Sequence, residues 1–357
     1  MVSGYPDGGV DVTGVEGGGP DGSDGGVPPP TAIFVNAAAS PTVSDVRLCW
    51  QVGDAGSQVV PFPGDGPMPG SNYPGIPLGG AASLGDVSAL AGGTVTFYAI
   101  DAENLARLEQ NASPPHTCRD LICAEGDDMV PCLRPGTDYW PVDPIPALTP
   151  STHPAVVALT GCLATALDST ASVARCGSTW DPVKGNLHVE LTYLQPAPPL
   201  GAGELAVQVA LLSPALAGAL GDAGAVVSFG DPEGGMPIAT LTTEDDVEPN
   251  AAPATLTLGT SLGVYGSLGF AVDAPGVVDG MGHEWMSLIQ AQQLVDPTQD
   301  PTLFFGQPRT YLVAVVGDPA STHAFASGDA AYDGTGLHLL VIAAPAPAVE
   351  TPDAQAH

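Results

Sequence analysis

Basic residues are scarce. Seven Lys+Arg stand against 39 Asp+Glu in 357 residues, a formal charge of −32. A nucleic-acid binder needs clustered Lys and Arg to neutralise phosphates, and adsorption to anionic lipid needs the same charges, so both classes are excluded. Aromatics make up only 6%, which argues against a flat aromatic platform for sugars and for contact through loops. No cysteine follows Cys176 and no C-x-x-C occurs, which removes the usual redox motif and zinc-knuckle spacing. Neither a P-loop nor a dinucleotide fingerprint is present. Met1 to Tyr5 offer no basic region and no apolar run, so no secretion signal is legible. The uncharged stretch Leu205 to Leu220 is no membrane span. Its residues Leu205, Val207, Val209 and Leu211 alternate as a strand does, and Ser213-Pro214 then opens a short helix that Gly221 can close.

The 46 Gly and 38 Pro interrupt the chain too often for long helices, while 44% hydrophobic residues are too many for wholesale disorder. The expected fold is all-β with minor α, and the length fits roughly two domains. Residues 1–30 hold 10 Gly, 5 Pro, 5 acids and no base, the composition of a disordered, self-repelling tether. Such a tether joins a body to an anchor, so the chain is expected to start downstream of a removed or mis-assigned signal, in the manner of a lipoprotein. The expected organisation is a tether at 1–30, a cysteine-containing antiparallel β-sandwich at 31–195, a stiff linker at 196–203 built on Pro196-Ala197-Pro198-Pro199, a second antiparallel β-sandwich in tandem at 204–344 and a disordered tail at 345–357.

The six cysteines, Cys49, Cys118, Cys123, Cys132, Cys162 and Cys176, are even in number and read as three disulfides formed in an oxidising compartment. Short-range closure makes Cys162 with Cys176 the first pairing expected. The alternatives are a Cys₃His zinc site from His116, Cys118, Cys123 and Cys132, which the irregular spacing disfavours, and reduced buried thiols.

Four landmarks recur in order across the two halves. A strand runs into Ser40-Pro41 and another into Ser213-Pro214. Ala81-Ala82-Ser83-Leu84-Gly85 matches Gly259-Thr260-Ser261-Leu262-Gly263. Val156 to Gly161 matches Leu312 to Gly317, and Leu187-His188-Val189 matches Leu337-His338-Leu339. Collinear order at strand-like positions points to an internal duplication. The first copy carries 22 extra residues between its second and third landmarks, and Cys118, Cys123 and Cys132 fall there. That interval reads as a Pro-rich surface excursion held to the body by disulfides. Strands are expected at 32–36, 46–52, 94–100, 156–159 and 187–194 in the first copy, and at 205–211, 225–229, 255–258, 268–272, 311–316 and 337–343 in the second. A helix is expected from His283 to Leu294, with Trp285, Leu288 and Ile289 on one face.

Ala39-Ser40-Pro41 followed by Ser44-Asp45-Val46, with Leu90-Ala91-Gly92-Gly93-Thr94-Val95-Thr96-Phe97 beyond, resembles the bacterial surface domain-of-unknown-function family whose repeats carry A-S-P…V-D-V and L-x-A-G-x-Y-x-F-x-V. The resemblance covers about a hundred residues of the first copy. In the second copy it is weak, because the Asp-Val is missing. It implies an extracytoplasmic β-domain, often in tandem, with no established catalytic role and no site residues to carry over.

Gly259 to Gly263 also fits the G-x-S-x-G pattern that exposes a nucleophilic serine, here Ser261. The elbow requires a helix after it, and Gly263-Val264-Tyr265-Gly266-Ser267 leads into another strand, so a tight turn is the preferred reading. His283-Glu284-Trp285-Met286-Ser287 begins like a zinc-protease helix and has Ser where the second His belongs. His188 and His338 read as half-exposed strand histidines with a local hydrogen bond, in preference to ligands. Asp21-Gly22-Ser23-Asp24-Gly25 and Glu244-Asp245-Asp246-Val247-Glu248 gather hard oxygen donors of the kind Ca²⁺ accepts, but lack EF-hand spacing, and solvated acidic loops are preferred. The expectation is a monomeric, non-enzymatic, surface-tethered binding or structural module with an envelope or extracellular ligand, no resident cofactor and no catalytic or metal residues. A serine hydrolase using Ser261 and a passive envelope spacer are the alternatives.

Overall fold

The computed structural model describes residues 31–38, 45–53, 61–62, 75–77, 80–109, 117–122, 132–148, 154–163, 176, 179–182, 184–214, 216–217, 225–230, 237–243, 253–257, 269–273, 286–295, 300–307, 309–317 and 338–343. Strands dominate. In the first half they are β1 (Thr31–Asn36), β2 (Asp45–Val52), β3 (Ile76–Pro77), β4 (Ala81–Asp86), β5 (Val95–Asp101), β6 (Tyr139–Pro141), β7 (Ala155–Thr160) and β8 (His188–Tyr193). In the second they are β9 (Glu204–Leu211), β10 (Ala225–Gly230), β11 (Pro237–Thr243), β12 (Ala254–Thr257), β13 (Gly269–Asp273), β14 (Met286–Ser287), β15 (Thr310–Val316) and β16 (His338–Ala343). Among the described residues four short α-helices have both ends defined: α1 (Ala102–Glu109), α2 (Cys118–Leu121), α3 (Leu288–Val295) and α4 (Pro301–Phe305). The all-β class with minor α is the class observed.

The first half forms two four-stranded sheets, β4-β1-β7-β8 and β3-β2-β5-β6; the second forms β12-β9-β15-β16 and β11-β10-β13-β14. Raising each strand number of the first half by eight reproduces the order of the second. Neighbours are antiparallel except β1 with β7 and β9 with β15, which run parallel. The sheets are thus antiparallel for the most part, as expected, and two of the four, β4-β1-β7-β8 and β12-β9-β15-β16, are mixed. The partners of each parallel pair are far apart in sequence, so the chain crosses to the other sheet and returns without a hairpin between them.

Alternation explains the layering. Ala32, Phe34, Ala155, Val157 and Leu159 point from β1 and β7 into a core shared with Val46, Leu48, Val95, Phe97 and Ala99 of β2 and β5. The opposite face of the same strands carries Ile33, Val35, Val156 and Ala158, which pack with Ala210, Leu212, Leu312, Ala314, Val316, Leu340 and Ile342 of the second half. Both faces of β1 and β7 are thus covered, which is why they read as continuous apolar runs.

The hydrogen bonds fix how the halves correspond. Ala37 N–H donates to the Leu159 carbonyl and Leu212 N–H donates to the Val315 carbonyl, so Ala37 matches Leu212 and Leu159 matches Val315. The third and fourth landmarks hold: Thr160 pairs His188 just as Val316 pairs His338, and Gly161 and Gly317 follow with φ of 82° and 92°. The first two landmarks need correction. The register places Ser213 level with Ala38, two residues from the Ser-Pro alignment. The counterpart of β4 is β12, while Gly259 to Gly263 lie outside the described residues. The face-to-face contact then joins like to like. Val35 and Ala210, Ala37 and Leu212, Val156 and Leu312, and Ala158 and Ala314 are equivalent pairs, and all eight lie in the one shared cluster.

Gln208 sits buried on this face, level with Ile33, and its amide is satisfied by the connecting segment. Its Oε1 accepts from Gln195 N–H at 2.8 Å and its Nε2 donates to the Tyr193 carbonyl at 3.4 Å. Thr310 Oγ1 donates to the Gln195 carbonyl at 2.6 Å. The boundary expected at 195 follows the end of β8, and the segment there is bonded to the second half rather than holding the two apart; residues 30 and 344 lie outside the described residues.

The expected helix at 283–294 begins later, at Leu288. Ser287 and Gln290 form a reciprocal cap, Gln290 N–H donating to Ser287 Oγ and Ser287 N–H to Gln290 Oε1, which fixes the start. Trp285 lies outside the described residues. At Pro214 a helical turn does open, with Ala217 N–H on the Ser213 carbonyl and Leu216 N–H on Ser213 Oγ; Gly221 is outside the described residues. No helix among the described residues is long and apolar enough to cross a membrane.

Candidate functional site

The cysteines settle first. Cys49 of β2 bonds Cys118 at the start of α2, and Cys162 bonds Cys176, the pairing expected from short-range closure. Cys132 is disulfide-bonded as well, and Cys123 lies outside the described residues. With its sulfur tied to Cys49, Cys118 is not a thiolate ligand, which breaks the Cys₃His alternative; His116 is outside the described residues. The described parts of the excursion after β5 lie on the outer face of sheet β3-β2-β5-β6. There Leu105, Leu121 and Leu133 pack with Ile100, Tyr139 and the Cys49–Cys118 bridge in a small core of their own.

Among the described residues a polar constellation lies where β7 ends and β8 begins. Thr160, the last residue of β7, faces His188, the first of β8, and Glu190 follows on the same face. His188 Nδ1 lies 2.9 Å from the Asn186 carbonyl. A carbonyl only accepts, so this nitrogen carries hydrogen and Nε2 is the titrating position. Nε2 lies 2.9 Å from Thr160 Oγ1 and 3.3 Å from Glu190 Oε1, and Thr160 Oγ1 can turn to Glu190 Oε1 at 3.4 Å. In the neutral ring Nε2 accepts from the hydroxyl. In the charged ring it donates to the carboxylate, and the hydroxyl turns to Glu190. The Glu190 carboxylate raises the His188 pKa above 6.5; burial opposes this, and the Asn186 carbonyl and the charge of Asp143 assist.

Behind the imidazole, Asn186 ties the turn to the disulfide. Its Oδ1 accepts from Cys162 N–H at 2.9 Å, and its Nδ2 donates to the Cys176 carbonyl at 2.8 Å and Thr179 Oγ1 at 2.9 Å. Trp180 packs on the bridge and donates Nε1–H to the Leu163 carbonyl at 3.1 Å.

Hydroxyl, imidazole and carboxylate together invite comparison with a nucleophile relay, and the geometry differs from one. In a relay the carboxylate orients the ring through the nitrogen opposite the hydroxyl. Here Glu190 and Thr160 share Nε2, and Thr160 is fully buried, so its oxygen meets no substrate. The trio is a proton-responsive polar contact.

The duplication shows what is particular to the first half. The equivalents of Thr160, His188 and Glu190 are Val316, His338 and Leu340, all within buried strands. His188 is half-exposed with local hydrogen bonds, as expected. His338 is 1% exposed, which corrects the half-exposed expectation. Its strand is covered by α3 and by the first half, whereas β8 lies half-open along its whole length.

Ser261, His283 with Glu284, and both acidic stretches, Asp21 to Gly25 and Glu244 to Glu248, lie outside the described residues. Among the described residues no group of three His, Cys, Asp or Glu is arranged to hold a metal ion. Sequence reasoning missed the Thr160–His188–Glu190 grouping. Its signal was available, since two strand residues at i and i+2 share a face. No family model, no curated protein and no solved structure matches the chain, so the family resemblance rests on the motifs quoted for it.

Proposed function

We propose that this protein is a non-enzymatic, extracytoplasmic binding or structural module, built of two duplicated β-sandwich units and tethered to a cell surface through its Gly/Pro-rich first thirty residues. The observation that carries the reading is the pair of disulfides, Cys49–Cys118 and Cys162–Cys176. Each is buried against a β framework, Cys49–Cys118 on the outer face of β2 and Cys162–Cys176 at the end of β7, and such bridges belong to oxidising compartments. Connecting segments displayed on a rigid scaffold are where such domains place their contacts, and the motif resemblance points the same way. A charge of −32 favours solubility and a monomer through self-repulsion.

The test is thiol alkylation of the protein taken directly from its host, with and without prior reduction, followed by intact-mass measurement. The expected result is that no cysteine is labelled until reductant is added. Labelling of Cys49 or Cys162 without reductant places the chain in a reducing compartment and ends the proposal. Turnover of an activated ester that is abolished by Ser261→Ala replaces it with the hydrolase alternative.

A further inference from the structure

Among the described residues four sheets have eight edge strands, and seven of these carry a feature that discourages further pairing. β3 and β14 are two residues long, β6 is three residues ending on Pro141, and β12 is four. The ladder of β4 slips between Ala32 and Ile33, and that of β11 slips between Phe229 and Gly230 where Pro237 begins the strand. β16 is six residues long and is buried beneath α3. Short length, proline, bulges and covering elements are the devices by which sheets protect their edges.

Among the described residues β8 has none of them over His188 to Thr192. At its far end the Tyr193 carbonyl, which faces away from β7, is taken by Gln208 Nε2, so the open main-chain groups are those of Val189 and Leu191. Its six residues, His188-Val189-Glu190-Leu191-Thr192-Tyr193, pair with β7 in an unbroken register from Thr160 to Ala155. They include no Pro, Gly or Lys, and every one is half-exposed. On its far side no strand is paired to it among the described residues. Val189, Leu191 and Tyr193 border the first half's core without being closed over, and His188, Glu190 and Thr192 line the other face.

We infer that the β8 edge is a docking site for an extended peptide segment of another protein, one that alternates basic and apolar residues and adds itself to the sheet as a fifth strand beside β8. Main-chain hydrogen bonds to an open edge supply affinity in this mode, and side chains at every second position supply specificity. The apolar side chains of the peptide would close over Val189, Leu191 and Tyr193, and its basic ones would face Glu190. The sign of the partner follows from charge complementarity. A chain with 39 acids and seven bases repels an acidic strand and a second copy of itself, and attracts a basic one. The inference goes beyond the functional proposal, because it concerns one sheet edge and holds in any compartment.

The test uses the full, oxidised chain and the synthetic peptide acetyl-Lys-Val-Lys-Val-Lys-Val-amide, followed by calorimetry and amide hydrogen exchange. The expected result is binding that slows exchange at residues 188–193. The Glu-for-Lys peptide, and a peptide with its two central amides N-methylated, should each bind at least about tenfold more weakly. Methylation alters only the probe, so the folding of the protein is untouched. Glu190→Gln should weaken the basic peptide by about threefold. Absence of binding, equal binding of the methylated peptide, or slowed exchange confined to other residues would each overturn the inference; the last would point to adsorption on an acidic face. None of these outcomes bears on the alkylation test, so the two proposals fail separately.

Discussion

His188 and His338 occupy one position of a repeated unit and have different surroundings. At His188 the partner is the Glu190 carboxylate, and the ring's pKa is raised. A histidine whose folded pKa lies above its unfolded value of 6.5 contributes stability that is fully present below 6.5 and is lost as pH rises through the raised value. His188→Gln should therefore lower the melting temperature more at pH 5 than at pH 9, as followed by circular dichroism. An equal loss at both pH values would remove Glu190 as the cause. Gly161 makes a second residue-level case. Its φ is 82°, and a Cβ there would lie 2.3 Å from the Asn186 carbonyl oxygen. Gly53, at φ 56°, has open space around it. Gly161→Ala should cost at least about 2 kcal/mol and Gly53→Ala about 1, measured by denaturant unfolding. The matching glycines and histidines were legible in the sequence. The contrast between His188 and His338 was not, because it depends on what covers each strand rather than on the strand itself.

Among the elements, strands longer than four residues were readable wherever apolar alternation or a continuous run lay between Gly, Pro and Asp breakers, as in β2, β5, β9, β15 and β16. The two-residue β3 and β14 carry too few residues for a period to show. β4, Ala81-Ala82-Ser83-Leu84-Gly85-Asp86, stands out in the sequence as a repeated landmark and not as a strand, because Ala, Ser and Gly give it little β-propensity; its pairing with β1 is a tertiary effect. Helix starts were readable in principle from their caps. Ser287 with Gln290, Thr117 with Asp120, and Asp300 ahead of Pro301 are such pairs. Asp101 caps α1, its Oδ1 accepting from Glu103 N–H at 2.8 Å and Asn104 N–H at 3.3 Å. Asp101→Ala should cost about 1 kcal/mol in a urea titration. The disulfides act on the same scale. Cys49–Cys118 closes a separation of 69 residues and Cys162–Cys176 one of 14. On chain entropy their removal should cost about 4 and about 3 kcal/mol respectively. Replacing each pair by Ala or Ser and comparing denaturant midpoints checks the order.

For the whole molecule, the central claim is that two copies of one β unit meet through the same face, so that neither half is finished without the other. Sequence comparison revealed that the halves correspond. It did not reveal the contact, because an apolar strand face looks the same whether it closes on its own partner sheet or on a neighbouring copy. Leu312, 1% exposed in the shared cluster, tests the coupling by mutation. Leu312→Ala should cost about 2–5 kcal/mol, and the loss should appear in the first half's β7 as well as in β15. The most direct measurement is native-state amide exchange of the full oxidised chain across rising denaturant, resolved by segment. Shared dependence is the predicted result: the amides of β1 and β7 converge with those of β9 and β15 on one opening free energy and one denaturant slope. If one half's strands exchange through a separate, lower-energy opening while the other's stay protected, the halves are independent bodies in contact, and the account of a shared core is wrong.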